Sequence, residues 1–290
     1  MTDRRMAKFK NHAVIASRMT PHPPHLPPEI PKWRARELFY IVKHGVKFTG
    51  MPAWSVQRRD DEVWAVVAFL LKLPHLSVEE YQKLARSVQP TAATIEDLSE
   101  TKKAPRVISE NCARCHAVSG DRDLSVFPII AGQRPSYLFA SLVAFARRER
   151  HSGIMEPLAA SLSAADMREI TLYYSKLPKP SPSVVPAELT PAIDRGKEIA
   201  LRGIPDQRLP ACSACHGPNP IRRNPIYPEL AGQHPEYLAL QLDLFKKQGR
   251  GGTPYGHIMR RVAGRLTAEQ MRDVTLYYGS LSSAVEPPVE

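Results

Sequence analysis

The stretches CARCH (Cys112–His116) and CSACH (Cys212–His216) contain every cysteine of this 290-residue chain. Each stretch reads Cys-x-x-Cys-His, and the second lies 100 positions after the first. A Cys-x-x-Cys pair alone is compatible with a zinc site, a redox dithiol or a disulfide. The histidine after each pair narrows the choice, because Cys-x-x-Cys-His is the attachment motif of c-type haem.

The spacing within the motif has a physical reason. Two thiols about one helical turn apart can add to the two vinyl groups on one porphyrin edge, and the adjacent imidazole then lies beneath the iron. A four-cysteine zinc site would bring its pairs within roughly 15–20 residues of each other, whereas here 96 residues intervene. We therefore predict two covalent haem c groups, with zinc or a redox dithiol as the alternative. The predicted attachment residues are Cys112, Cys115, Cys212 and Cys215, and the predicted proximal iron ligands are His116 and His216.

The sequence around the two motifs is duplicated. Phe127–Phe145 and Tyr227–Phe245 share Ala-Gly-Gln, Pro, Tyr-Leu and a closing Phe at the offset of 100. Ile154–Leu177 then matches Ile258–Leu281 at an offset of 104, because Gly251–Gly256 adds loop residues. Such self-similarity indicates two copies of one structural unit.

The first third of the chain carries only the back half of this pattern. Met51 and Leu73 are 22 positions apart, as are the matching Met and Leu residues of the two later copies. We predict three related modules over residues 1–78, 100–180 and 188–285, the first lacking Cys-x-x-Cys-His. Apolar residues recur at helical spacing in each closing segment and no alternating strand pattern stands out, so the predicted fold is all-α, built of tandem domains.

Helix start signals support the helical prediction. Ser163 and Thr267 are predicted N-caps, with Asp166 and Gln270 at the third position after each. This spacing is typical of a capping box.

A six-coordinate electron-transfer haem needs a second axial ligand, and methionine opposite histidine raises the reduction potential. Met155 and Met259 are the candidates that match in the repeat. Each is predicted to lie in a loop just before the last helix of its module, from which it can fold over the opposite haem face.

Other side chains compete for the distal role. Met167 and Met271 occupy interior helical positions and are predicted to be core residues. His151 and His257 lie near the same loops as the candidate methionines, but they are not equivalent in the repeat. The methionines are therefore the preferred ligands.

On these residues, the second and third modules resemble class I cytochrome c domains, in particular the tandem dihaem type called cytochrome c4. The likeness includes both haem motifs, Ala-Gly-Gln-x-Pro-x-Tyr-Leu and the methionine with the final helix. It implies that the carbonyls of Pro128 and Pro228, twelve residues after the haem histidines, hold the imidazole Nδ1–H groups. It also places four residues beside the haem edge, where packing and propionate contact both remain open: Gln133, Tyr137, Gln233 and Tyr237.

The first module resembles the same class through ELFYIVKHGVKFTGMPAW (Glu37–Trp54), in which Met51 matches the distal methionine. The usual spacing puts a haem histidine near His12, but Lys8 and Asn11 stand at the cysteine positions. A third haem is expected only if preceding sequence is missing, which would also explain why no signal peptide is found. The alternative is a degenerate module that has lost its haem and serves as a docking surface.

The charge and hydropathy limit the class of partner. The formal net charge is +11 and the pI about 9.6, which suits nucleic acid, an anionic membrane surface or an acidic protein. No aromatic-interleaved basic stripe is found, so nucleic acid is not predicted. No apolar run of about 18 residues occurs, so no transmembrane helix is predicted, while peripheral membrane association stays open.

These features predict an electron carrier and not an enzyme, since no nucleophile–base constellation or phosphate loop is found. The expected partners are redox proteins with acidic surfaces, such as an oxidase, a bc1-type complex or a dehydrogenase. The resemblance implies a periplasmic location and a role in respiratory electron transport. Two alternatives are the cytochrome subunit of a dehydrogenase complex and a dihaem peroxidase.

Overall fold

The computed structural model describes residues 24–85, 107–116, 127–179, 182, 186–217 and 223–282. Regular structure in these ranges is helical, with no β-strand, and one isolated antiparallel bridge joins Ile204 and Leu209. The predicted all-α fold is confirmed. The described residues form two compact units, the first from residues 24–85 with Ser152–Ile154 and the second from the rest.

The core of the first unit lies between two of its helices. Its α-helices are α1 (Leu26–Glu29), α2 (Ala35–His44), α3 (Asp60–Lys72) and α4 (Val78–Ala85), with 3-10 turns at Ile30–Lys32 and Leu73–His75. Three acidic residues begin α3, where they stabilise the positive end of the helix dipole. The buried cluster that joins α2 to α3 consists of Ile30, Leu38, Val42, Val63 and Val67.

The second unit contains both haem motifs, each on a short helix. Its earlier helices are α5 (Ala113–His116), α6 (Pro135–Ala146), α7 (Met155–Ala160) and α8 (Ala164–Lys176), with a π-helical turn at Ile108–Cys112 before α5. Its later helices are α9 (Thr190–Arg202), α10 (Ser213–His216), α11 (Pro235–Lys246), α12 (Gly256–Arg265) and α13 (Ala268–Ser280), with 3-10 turns at Ala187–Leu189 and Pro205–Gln207. None of the helices described in either unit is long and apolar enough to cross a membrane.

Capping boxes begin the closing helices α8 and α13. The Ser163 Oγ atom accepts a hydrogen bond from the Asp166 N–H at 3.1 Å, and the Asp166 carboxylate accepts from the Ser163 N–H. Thr267 and Gln270 repeat this arrangement, with a 3.1 Å bond from the Gln270 N–H to the Thr267 hydroxyl. Both predicted N-caps are therefore confirmed.

Two hydrophobic clusters fill the second unit, one for each copy of the repeat. The clusters contain the tyrosine pairs of α8 and α13, of which Tyr174 is fully buried and Tyr278 nearly so. Met167 and Met271 are also buried, as predicted for core residues. The repeat in the sequence thus corresponds to two cores that share matched residues.

Two glutamines join the copies of the repeat inside the second unit. The Gln133 amide donates to the Glu229 carbonyl at 2.9 Å, and its oxygen accepts from the Glu229 N–H at 3.0 Å. Gln233 makes the matching pair with Ile129, at 2.8 Å and 2.9 Å. Each glutamine satisfies one residue's backbone donor and acceptor across the contact, as a neighbouring strand would.

Candidate haem-binding sites

The histidine of each haem motif is fixed by a proline carbonyl. His116 Nδ1 lies 3.0 Å from the Pro128 carbonyl oxygen, and His216 Nδ1 lies 2.8 Å from that of Pro228. When Nδ1–H donates to the carbonyl, Nε2 keeps the lone pair that a metal ligand needs. Burial lowers the pKa of both imidazoles, against the opposing effect of the proline carbonyls, and so favours the neutral form.

No disulfide joins the four cysteines of the two motifs. Burial raises the pKa of Cys112 to about 12 and that of Cys212 to about 11. A redox dithiol requires the opposite shift, towards the thiolate. Across the described ranges, no group of three or more His, Cys, Asp or Glu side chains could hold a metal ion. The zinc and dithiol alternatives therefore have no support from the geometry.

Each candidate methionine packs against a cluster that a haem-motif cysteine belongs to or also packs against. Met155 lies against the cluster of Cys112, and Met259 lies against the side chains that also surround Cys212. The prediction that both methionines lie in loops is wrong, because Met155 begins α7 and Met259 lies inside α12. Pro157 did not prevent the helix, since proline is tolerated in a first helical turn.

The rival histidines and Met51 have other surroundings. His151 Nδ1 lies 3.1 Å from a Glu156 carboxylate oxygen, and His257 is exposed on α12. In the first unit, Met51 is 39% exposed and its carbonyl accepts from the Val46 N–H. The expectation of a proximal ligand in this unit depends on three residues that lie outside the described ranges: Lys8, Asn11 and His12.

Two arginines that the sequence reasoning missed are buried where the copies of the repeat meet. Arg150 donates to the Tyr237 hydroxyl at 3.1 Å, and Arg250 donates to the Tyr137 hydroxyl at 3.0 Å. Both guanidiniums also contact the Gln241 amide oxygen. No carboxylate of the described residues pairs with either arginine, and the buried Nε of Arg250 has no hydrogen-bond partner. Arg150 and Arg250 are 100 positions apart, which is the offset of the repeat, and this match was the one signal in the sequence that could have identified them.

This pair of charges creates a strongly positive buried region. Burial and the neighbouring Arg150 lower the pKa of Arg250. Burial alone would raise the pKa of Tyr137, but the two arginine charges lower it to about 8. Buried charges without a counter-ion are costly, so the region favours an anion. Haem carries two propionate carboxylates, and the residues present therefore fit haem.

Comparison with known proteins agrees with this geometry. Residues 193–282 match the family described as Cytochrome c, and residues 12–70 match the family described as Cytochrome C oxidase, cbb3-type, subunit III. A thiosulfate dehydrogenase electron acceptor of Thiomonas intermedia is 36% identical over 165 residues, covering 57% of this chain and 75% of the relative. Cytochrome c4 of Thiocapsa roseopersicina is 32% identical over 173 residues, covering 59% of this chain and 87% of the relative.

This chain belongs to the cytochrome c4 family.

The solved structure of cytochrome c4 from Acidithiobacillus ferrooxidans is similar to this chain, with a TM-score of 0.53 and 31% sequence identity. The match covers 60% of this chain and 100% of the cytochrome c4 chain. Cytochrome c4 proteins are dihaem c-type cytochromes, so this chain binds haem c covalently and functions in electron transfer. The predicted family and cofactor are confirmed.

Proposed function

We propose that this cytochrome c4 is a periplasmic electron carrier with two haems, each held by one Cys-x-x-Cys-His motif and one methionine. The observation that carries the proposal is the matched pair of sites, in which Pro128 and Pro228 hold the haem-motif histidines. The proposed axial pairs are His116 with Met155 and His216 with Met259. When bound, haem supplies a one-electron Fe(II)/Fe(III) couple.

The protein's own contribution is to bind, orient and shield. The proline carbonyls fix the orientation of the imidazoles, and the buried tyrosines of α8 and α13 help to exclude water from both clusters. Arg150 and Arg250 would supply positive charge to the haem propionates. If a histidine and a methionine both hold each iron, no coordination position would remain for a substrate, and the protein would act as a carrier and not as a dihaem peroxidase.

We propose a dehydrogenase with an acidic surface as a partner. Two features support this partner: the net charge of +11 and the similarity to proteins named thiosulfate dehydrogenase electron acceptor. The periplasmic location is supported by c-type haem attachment, which in bacteria takes place outside the cytoplasmic membrane.

The test is a count of covalent haems in protein matured with an export signal and the haem-attachment machinery. The mass should exceed that of the polypeptide by two haems. The double variant Cys112→Ala/Cys115→Ala should retain one haem, and Cys212→Ala/Cys215→Ala should retain the other. Ser213→Ala, which lies between two attachment cysteines, is the matched control and should keep both. A protein without covalent haem, or one that binds zinc through these thiols, would overturn the proposal.

A further inference from the structure

The two copies of the repeat differ in charge around the candidate methionine. After Met259, helix α12 carries three exposed arginines, Arg260, Arg261 and Arg265. The matching residues after Met155, up to residue 165, include no Lys or Arg. Among the described residues, no carboxylate pairs with Arg260 or Arg261. Their charge is therefore available to a partner.

An aromatic contact of the same copy connects this face to the haem histidine. Tyr255, directly before α12, is 36% exposed, and its ring centroid lies 5.3 Å from that of Tyr227. The Tyr227 ring in turn lies 6.3 Å from the imidazole of His216. In the earlier copy, Phe127 lies 6.4 Å from the haem-motif histidine. Tyr255 has no counterpart there, because it belongs to the longer loop.

We propose that the arginines of α12, together with Tyr255 and Ile258, form the docking surface for an acidic one-electron redox protein. Such a partner would engage the later copy of the repeat and not the earlier one. This inference rests on the proposed function, since it assigns a partner surface to the same carrier.

The composition of the surface fits a transient redox interface. Ile258 is 38% exposed and lies on the same helix as the arginines, and the partly exposed Tyr255 comes directly before that helix, so the segment combines apolar, aromatic and positively charged side chains. Aromatic residues and arginine are enriched at interfaces, and unpaired positive charge steers an acidic protein during encounter. One electron passes between the partner and the cytochrome, with no bond formed or broken and no proton moved in this chain.

The probe for the test is flavodoxin, an acidic one-electron donor protein. Its affinity in the oxidised form is measured by calorimetry at low and high NaCl, and its rate of electron transfer in the reduced form by stopped flow. Arg260→Glu/Arg261→Glu should lower both quantities about tenfold or more at low salt, since electrostatic steering changes association rates by about 10–10³. The dependence of the rate on salt should weaken at the same time.

The matched control is Arg147→Glu/Arg148→Glu, an exposed arginine pair at the end of α6 with the same change in net charge. It should lower both quantities less than the α12 variant does, because these two arginines lie outside the proposed surface. Equal effects of the two double variants would mean that only net charge matters, and would overturn the assignment.

The aromatic contact has its own test. Tyr255→Leu should slow electron transfer at saturating flavodoxin, while Tyr255→Phe, which keeps the ring, should not. Equal rates for these two variants would exclude the role of the ring. Calorimetry measures flavodoxin binding whether or not haem is present. A protein that binds flavodoxin through α12 but has no haem absorbance would therefore contradict the proposed function and not this inference. If the protein carries haem but its affinity for flavodoxin does not change when the α12 arginines are replaced, only this inference is contradicted.

Discussion

Individual methionines of the second unit have different surroundings although they are one residue type. Met155 and Met259 are partly buried beside the clusters of the haem-motif cysteines. Met167 and Met271 are 5% and 7% exposed inside closing helices. The first pair are the proposed ligands, whereas the second pair contributes to the core.

Replacing the proposed ligands should change the haem and leave the fold intact. Met155→Leu and Met259→Leu should each remove the absorption band of methionine-ligated ferric haem. The reduction potential of that haem should fall by more than about 59 mV, a tenfold change in a one-electron equilibrium. Spectroelectrochemical titration measures both effects.

The controls are Met167→Leu and Met271→Leu. These volume-conserving changes in the core should cost less than about 1.5 kcal/mol of unfolding free energy and keep both bands. Loss of the band in a control, with retention in Met155→Leu, would show that the ligand assignment is wrong.

At the level of helices, α9 and α13 make a close contact. A Cβ atom added to Gly196 would lie 2.0 Å from the Asp273 carbonyl oxygen, so only glycine permits this approach. Arg195 strengthens the same crossing, since its Nε donates to the Asp273 carboxylate at 2.7 Å. The two helices that begin and end this copy of the repeat therefore depend on one glycine.

Gly196→Ala should destabilise the protein by about 1–3 kcal/mol, because the added methyl group must push the helices apart. Urea unfolding followed by far-ultraviolet circular dichroism gives the change in free energy. Gly264→Ala on α12 is the matched control, since no atom lies within 4 Å of its added Cβ. It should stabilise the protein by up to about 1 kcal/mol through helix propensity. The same sign for both variants would refute the packing argument.

At the scale of the whole second unit, the two copies of the repeat meet through polar contacts. Gln133 and Gln233 exchange equivalent hydrogen bonds across the contact. The buried arginines reach the tyrosine of the opposite copy in the same reciprocal manner. Relative orientation of the copies is therefore set by a small number of directional bonds.

Removing either glutamine should uncouple the two copies. Gln133→Ala and Gln233→Ala each leave a backbone donor and acceptor without this partner, at a cost of about 1–3 kcal/mol. Thermal unfolding of the haem protein, followed at haem and peptide wavelengths, should separate into two transitions. Gln248→Ala, an exposed glutamine on the same unit, should leave unfolding unchanged. One sharp transition in all three variants would show that other contacts join the copies.

The sequence by itself determined the features that depend on neighbouring residues. Cys-x-x-Cys-His specifies haem attachment within five positions, and the capping boxes at Ser163 and Thr267 act within one helical turn. Because the haem motif and the capping box occur in both copies of the repeat, a prediction made for one copy applies to the other. Helical periodicity and these signals were sufficient for the all-α fold.

Only the tertiary structure decided which residues meet across the repeat. Arg150 and Arg250 read as ordinary surface charges in the sequence, yet long-range packing buries both next to tyrosines 87 and 113 positions away. The helical placement of Met155 was likewise missed. Burial and pairing depend on contacts between distant segments, which local patterns do not contain.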